Sequence, residues 1–181
     1  MAGHTDNQTR RVAVSKRDHA RGSAHAAILL VKYGDYECSQ SGAAYRLVKE
    51  AQRELGTELR FVFRNFPLRV LNARAQRAAE AAEAAAAQGR FWEMHDLLFE
   101  HQHALSDRHL REYAAALGLD SMRFDCELAA RVYAKRVRDD MATAAKVQVQ
   151  SAPTFFINGV RYEGACDLSA MMRALQPLIA A

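Results

Sequence analysis

Cys38 is followed three residues later by Ser41, in the run Tyr36-Glu37-Cys38-Ser39-Gln40-Ser41-Gly42. Two cysteines at that spacing on a strand-to-helix junction can close and reopen their own disulfide. A lone thiol forms a mixed disulfide that some other thiol must release. A helix start suits this chemistry, because unpaired N–H groups and the positive end of the helix dipole favour a thiolate. Glu37 and Asp35 oppose it. The bland alternative is an inert cysteine, but a solvent-facing helix start is a poor place for a purely structural thiol. Ser41 cannot attack a mixed disulfide. Its hydroxyl either bonds the Cys38 thiolate or fills the volume of any small helix residue.

Little else in the chain competes as a centre of chemistry. Three widely spaced cysteines among 181 residues make no disulfide framework, so cysteine chemistry here should be transient. Cys126 falls in a helical stretch and reads as core. His95, His101, His103 and His109 suggest a metal, but 101 and 103 should point to different faces of one helix and no ligand cluster completes a site, so no metal is expected. There is no Gly-rich phosphate loop. Residues 1–23 carry five basic side chains against Asp6 and Asp18, three of the four net positive charges, which leaves the body near neutral. A basic stripe with aromatic platforms is missing, so nucleic acid is not an expected partner. No apolar segment precedes a cleavage site and no run approaches a membrane span, which predicts a soluble, cytoplasmic protein.

The elements that must position Cys38 follow from periodicity. Residues 1–24 are polar and read as a flexible basic arm, with a short strand allowed at Val12 to Val14; the Asn7-Gln8-Thr9 sequon carries no meaning in a cytoplasm. Ala27 to Tyr33 is a short apolar run, suited to a strand buried on both faces. From Cys38, the residues Ala44, Leu47, Val48, Ala51 and Leu55 recur at helical spacing and Gly56 follows as a stop. Leu59 to Phe66 alternates and ends at Pro67, a second strand. Between about Leu71 and Val147 only amphipathic and alanine-rich stretches occur, broken at Gly89, Ser106-Asp107 and Gly118 to Ser121. They predict four or five helices, the run Ala78 to Ala87 included, since alanine with interspersed Glu is strongly helix-forming. Thr154 to Ile157, Asn158-Gly159 and Val160 to Glu163 read as a hairpin, and Asp167 caps a last helix through Met171, Met172 and Leu175. The order βαβ, helical block, β-hairpin, α is an α/β thioredoxin plan with an inserted all-helical subdomain. Its parts are 25–70 and 148–181 for the thioredoxin-like domain and 71–147 for the insertion.

Val31-Lys32-Tyr33-Gly34-Asp35-Tyr36-Glu37-Cys38, Phe63-Arg64-Asn65-Phe66-Pro67-Leu68, Gly89-Arg90-Phe91-Trp92-Glu93-Met94-His95 and Pro153-Thr154-Phe155-Phe156-Ile157-Asn158-Gly159 together resemble the DsbA-like branch of the thioredoxin superfamily. The resemblance covers roughly residues 15 to 178. In dithiol members the second active-site cysteine stands where this chain has Ser41, so the site here is Cys-X-X-Ser. The resemblance implies a cis Pro153 opposite Cys38, against a base rate of roughly 5% for X-Pro bonds, with Ala152 offering its backbone to an extended substrate. Ser39 and Gln40 then complete the substrate-facing set. Such domains also occur fused to sodium/proton antiporters, and Ser15 to Gly22 is similar to the lead-in seen there.

In this topology the strand at Val160 returns parallel to the first, so Gly164-Ala165-Cys166 emerges on the same edge as Cys38. Cys166 is therefore a candidate resolving thiol, although family members usually carry an apolar residue there and a small buried hydrophobe is the simpler reading. Three functions fit. The first is a thiol–disulfide oxidoreductase working through Cys38 alone on a disulfide-containing or glutathionylated protein or small thiol, with no cofactor and with glutathione as co-substrate. The second is a glutathione-dependent transferase or isomerase, which would make Ser41 essential. The third is a redox-inactive module gripping an extended peptide.

Overall fold

The computed structural model describes residues 11–68 and 74–179. Among them the chain forms β1 (His19–Arg21), β2 (Ile28–Gly34), α1 (Ser39–Leu55), β3 (Leu59–Asn65), α2 (Ala75–Ala86), α3 (Phe91–Glu100), α4 (Asp107–Ala116), α5 (Ser121–Ala129), α6 (Ala134–Lys146), β4 (Thr154–Ile157), β5 (Val160–Arg161) and α7 (Leu168–Leu175). The sheet runs β1-β3-β2-β4-β5. β2 and β3 are parallel, and β4 and β5 add as antiparallel neighbours on the far side. β2 is thus the central strand and its C-terminal end delivers the chain to Cys38.

Alternation along β2 sends side chains to two cores. Ile28 and Leu30 join Phe61, Phe63 and Phe155 under α1, α3 and α7, while Val31 and Tyr33 face the opposite side with Val62, Phe156 and Ala144 of α6. In α1, Ala44, Leu47, Val48, Ala51 and Leu55 make the buried stripe, and Gly56 ends the helix at φ +53°, a left-handed conformation that suits glycine. The alanines of α2 are buried on more than one side, so small side chains let neighbouring helices approach closely. At the hairpin Asn158 and Gly159 both have positive φ, as a two-residue type I′ connection requires. Asn158 also accepts the Leu29 N–H through Oδ1 at 2.7 Å, tying the turn to β2. The Asp167 carboxylate caps α7 by accepting the Ala170 N–H at 2.8 Å.

The expectation of a free arm through residue 24 is corrected over the described part. Val12 is buried and donates its N–H to the Gly159 carbonyl, though Val12 to Val14 form no strand. β1 pairs antiparallel with β3, His19 opposite Phe63. Just before it, Asp18 holds Arg64 through two hydrogen bonds of 2.6 and 3.1 Å, both side chains only 5% exposed. Anchored by the buried Val12 side chain and by the Asp18–Arg64 pair, the segment is part of the fold. The first ten residues of the expected arm, its sequon and the 70/71 boundary of the helical block lie outside the described residues.

Candidate active site

Four residues after β2 carry the chain into α1, and most of their backbone bonding is local. The Cys38 N–H donates to the Asp35 carbonyl at 3.3 Å, and the Asp35 carboxylate accepts from the Glu37 and Leu68 amides at 2.8 and 2.9 Å. The Glu37 carboxylate accepts the Arg74 and Ala75 amides at the start of α2. Both acids that the sequence set against a thiolate are therefore occupied as acceptors of backbone N–H groups. Cys38 itself is the N-cap of α1, in extended conformation, and its side chain makes no capping bond. The sulfur is half-buried and lies 3.4 Å from the Ala152 carbonyl, as donor. No carboxylate stands in the first turn of α1, so the positive end of the helix acts on the sulfur uncompensated by its own helix, worth about 0.3–1 kcal/mol.

Ser41 does something the sequence reading did not anticipate. It is fully buried, and its Oγ accepts the Asp35 N–H at 3.3 Å. The hydroxyl braces the loop behind Cys38 from within α1. Ser39 and Gln40 are exposed beside Cys38, and the Ala152–Pro153 peptide is cis. Cys38, Ala152 and Pro153 are thus brought together, and Pro153 lines a groove with Ser151, Thr154, Phe155, Tyr162 and Cys166.

All three cysteines are free thiols. Cys166 is exposed rather than a buried hydrophobe: it falls between the end of β5 at Arg161 and the start of α7 at Leu168, in a stretch whose residues 163–167 are all exposed. Partial desolvation raises its pKa, Lys32 opposes that rise and Asp167 adds to it. Cys126 is exposed as well, against the expectation of a core residue: α5 turns Phe124 and Leu128 inward at i, i+4 spacing and leaves position 126 outside. His101 and His103 lie beyond α3, which ends at Glu100, and are not on one helix. Among the described residues no cluster of three His, Cys, Asp or Glu groups could hold a metal ion, and no helix is long and apolar enough to cross a membrane.

Two neighbours of Cys38 were not singled out from the sequence. Gln102, two residues past α3, donates its amide to the carbonyls of Tyr36 and Cys38 at 2.8 and 2.9 Å. It packs over Gly42, where any Cβ would collide with its carboxamide. Lys32 of β2 is completely buried, with Nζ 2.9 Å from the Ser41 carbonyl. Burial pulls its pKa down to about 7, while negative charge on Cys166 and on Cys38 would push it back up. His95, also buried, is held well below its ordinary pKa by desolvation and then by Lys32 and Arg21. It is a neutral ring bonded to the Tyr36 hydroxyl at 3.0 Å.

A family model described as thioredoxin matches residues 14–177. The Na(+)/H(+) antiporter NhaA 1 of Mycobacterium sp. (strain KMS) is 44% identical over 165 residues, which are 89% of this chain and 27% of that protein. The NhaA 1 antiporter of Salinispora arenicola is 45% identical over 159 residues, 88% and 24% of the two chains. The chain spans about a quarter of the length of these curated relatives. Among solved structures, oxidised BdbD from Bacillus subtilis is similar at a TM-score of 0.82 and 20% identity, covering 92% of this chain and 95% of that one. Wolbachia pipientis alpha-DsbA1 gives 0.78 at 18% identity, covering 92% and 93%. At such identities the likeness is one of fold: thioredoxin-like, with the helical block arranged as in DsbA-like proteins.

Proposed function

Because the chain belongs to the thioredoxin family, we propose that it is a thiol–disulfide oxidoreductase in which Cys38 acts alone. The observation that carries this reading is the position of Sγ: on the N-cap of α1, unused as a cap, and 3.4 Å from the Ala152 carbonyl next to Pro153. A substrate main chain laid along Ala152 and Pro153 would bring a disulfide to that sulfur.

The exchange balances without a second protein thiol. The Cys38 thiolate attacks one sulfur of R–S–S–R′, forming the Cys38–S–S–R bond and expelling R′–S⁻. An external thiolate then attacks the R sulfur, forms a new disulfide with R, and Cys38 leaves as thiolate. Glutathione is the small thiol we assign to the second step, supplied by a reducing compartment such as the cytoplasm. Two features favour an outside resolver. Ser41 is buried with its oxygen on the Asp35 amide, and the raised pKa of Cys166 leaves little thiolate there at neutral pH.

The burial of Ser41, with its oxygen engaged by the Asp35 amide, weakens a transferase or isomerase built on its hydroxyl. A redox-inactive peptide module would use the groove at Pro153 but leave the sulfur idle. The test is reduction of a glutathionylated peptide by the protein and by Cys38→Ala, with glutathione as reductant. Loss of turnover in Cys38→Ala is expected; full activity in that variant would overturn the proposal, and peptide capture that survives in it would favour the binding module.

A further inference from the structure

Lys32 is the one charged residue in β2, and alternation puts it in the inward row with Ile28, Leu30 and Gly34. Its stem crosses a space that Gly34 leaves open, since a Cβ there would crowd Lys32 Cε and the Phe63 ring. At the end of that stem the ammonium meets the first turn of α1. Nζ donates to the Ser41 carbonyl and lies 4.4 Å from the centre of the Phe99 ring. Its cross-strand neighbours are Phe63 on β3 and Phe155 on β4. No carboxylate pairs with it among the described residues. A buried ammonium with one neutral acceptor and an aromatic face is a costly arrangement, and Cys38, the N-cap of the turn whose Ser41 carbonyl holds Nζ, is the group there that can take up negative charge, since the other nearby thiol, Cys166, has a raised pKa.

We infer that Lys32 is the counter-charge of this site, a positioning residue whose buried ammonium favours the thiolate of Cys38 over the thiol. The proposal rests on the reading of Cys38 as the reactive sulfur and adds the group that sets its reactivity. The helix end supplies partial positive charge at the sulfur, and the Lys32 ammonium, in its protonated form, adds a positive charge at the Ser41 carbonyl of the same turn. Other ionisable groups around the small cavity that Lys32 lines are Arg21 of β1, Tyr45 and Lys49 of α1, and His95 and Asp96 of α3. Asp96 is paired with Lys49 and Arg21, and His95 is neutral, so they do not neutralise Lys32.

The experiment compares wild type with Lys32→Met, which keeps the length of the stem and removes the charge. Peptide-resolved alkylation by iodoacetamide is followed from pH 5 to 9. Modification of Cys38 at pH 7 is expected to slow about tenfold, with the profile displaced upward by about one pH unit, while Cys126, exposed on α5, is unaffected. A merely structural role would leave the displacement at zero, and a coincident Cys38 profile in the two folded proteins overturns the assignment of Lys32 alone. A Cys38 that is unreactive at every pH in wild type overturns both this proposal and the oxidoreductase reading. A measurement on the unmutated chain stands beside it. Blocking Cys38 as its methyl disulfide should move the Lys32 titration, followed by NMR of 13C-labelled lysine, to lower pH; an unmoved titration overturns the coupling.

Discussion

Replacing Lys32 with methionine should make the protein more stable, and the gain should depend on pH with a definite sign. In the unfolded chain Lys32 titrates near 10.5, whereas burial holds it at about 7 in the fold. At roughly 1.4 kcal/mol per unit the difference amounts to about 5 kcal/mol of destabilisation when the group is charged in both states. Methionine forfeits the bond to the Ser41 carbonyl and the contact with Phe99, about 1–2 kcal/mol, so the variant should gain about 3 kcal/mol at pH 6. A lysine with a depressed folded pKa binds fewer protons folded than unfolded between the two values. Wild-type stability therefore rises as pH climbs from 7 toward 10.5, and the destabilisation is full below that window and gone above it. Urea unfolding at pH 6 and pH 9, with the thiols blocked, should show the gap narrowing by about 2–3 kcal/mol. A variant less stable than wild type at pH 6, or a gap indifferent to pH, would refute the burial argument. A residue that costs stability and quickens a thiol is the kind of exchange expected at functional positions.

The remaining expectations concern the surroundings of the same thiol. Asp18→Asn breaks a buried ion pair with Arg64 and should cost about 3 kcal/mol at pH 7. Burial raises the Asp18 pKa, but hydrogen bonds from Arg64 and Ser15 outweigh it and the net pKa is lowered; its contribution is present above about pH 4 and lost in stronger acid, so the deficit should shrink at pH 3 in urea titrations. Gln102→Ala frees the Tyr36 and Cys38 carbonyls and should cost about 1–3 kcal/mol, with faster hydrogen exchange at the Gly42 amide. Ser41→Cys places a thiol three residues after Cys38 and removes an acceptor worth about 1 kcal/mol; a mixed disulfide preformed on Cys38 should then collapse without added thiol, as timed by mass spectrometry.

Local signals made most of the fold legible. The apolar run before Cys38, the stripe from Ala44 to Leu55 with its glycine stop, and Asn158-Gly159 each point to one backbone geometry, and all three formed. The pairing of Cys38 with a cis Pro153 was implied by the resemblance to the DsbA-like branch rather than by local pattern, and the two lie together in the fold. What failed depended on contacts far apart in sequence. Residues 11–24 looked like a solvated tail because Asp18 and Val12 find their partners, Arg64 and Gly159, only in the folded chain. Gln102 sits in a turn whose composition carries no signal, and its partners are more than sixty residues away. Ser41 read as a missing cysteine, whereas its oxygen serves the Asp35 amide. Lys32 was visible as a charge within an apolar run, and that mismatch between side chain and strand was the available clue to a buried functional group.

The most direct measurement is intact and peptide-level mass spectrometry of the reduced protein after exposure to oxidised glutathione at neutral pH. A single glutathione adduct on Cys38 is expected, persisting after the oxidant is removed and discharged by reduced glutathione. A Cys38 left unmodified while Cys126 or Cys166 takes the adduct would contradict it.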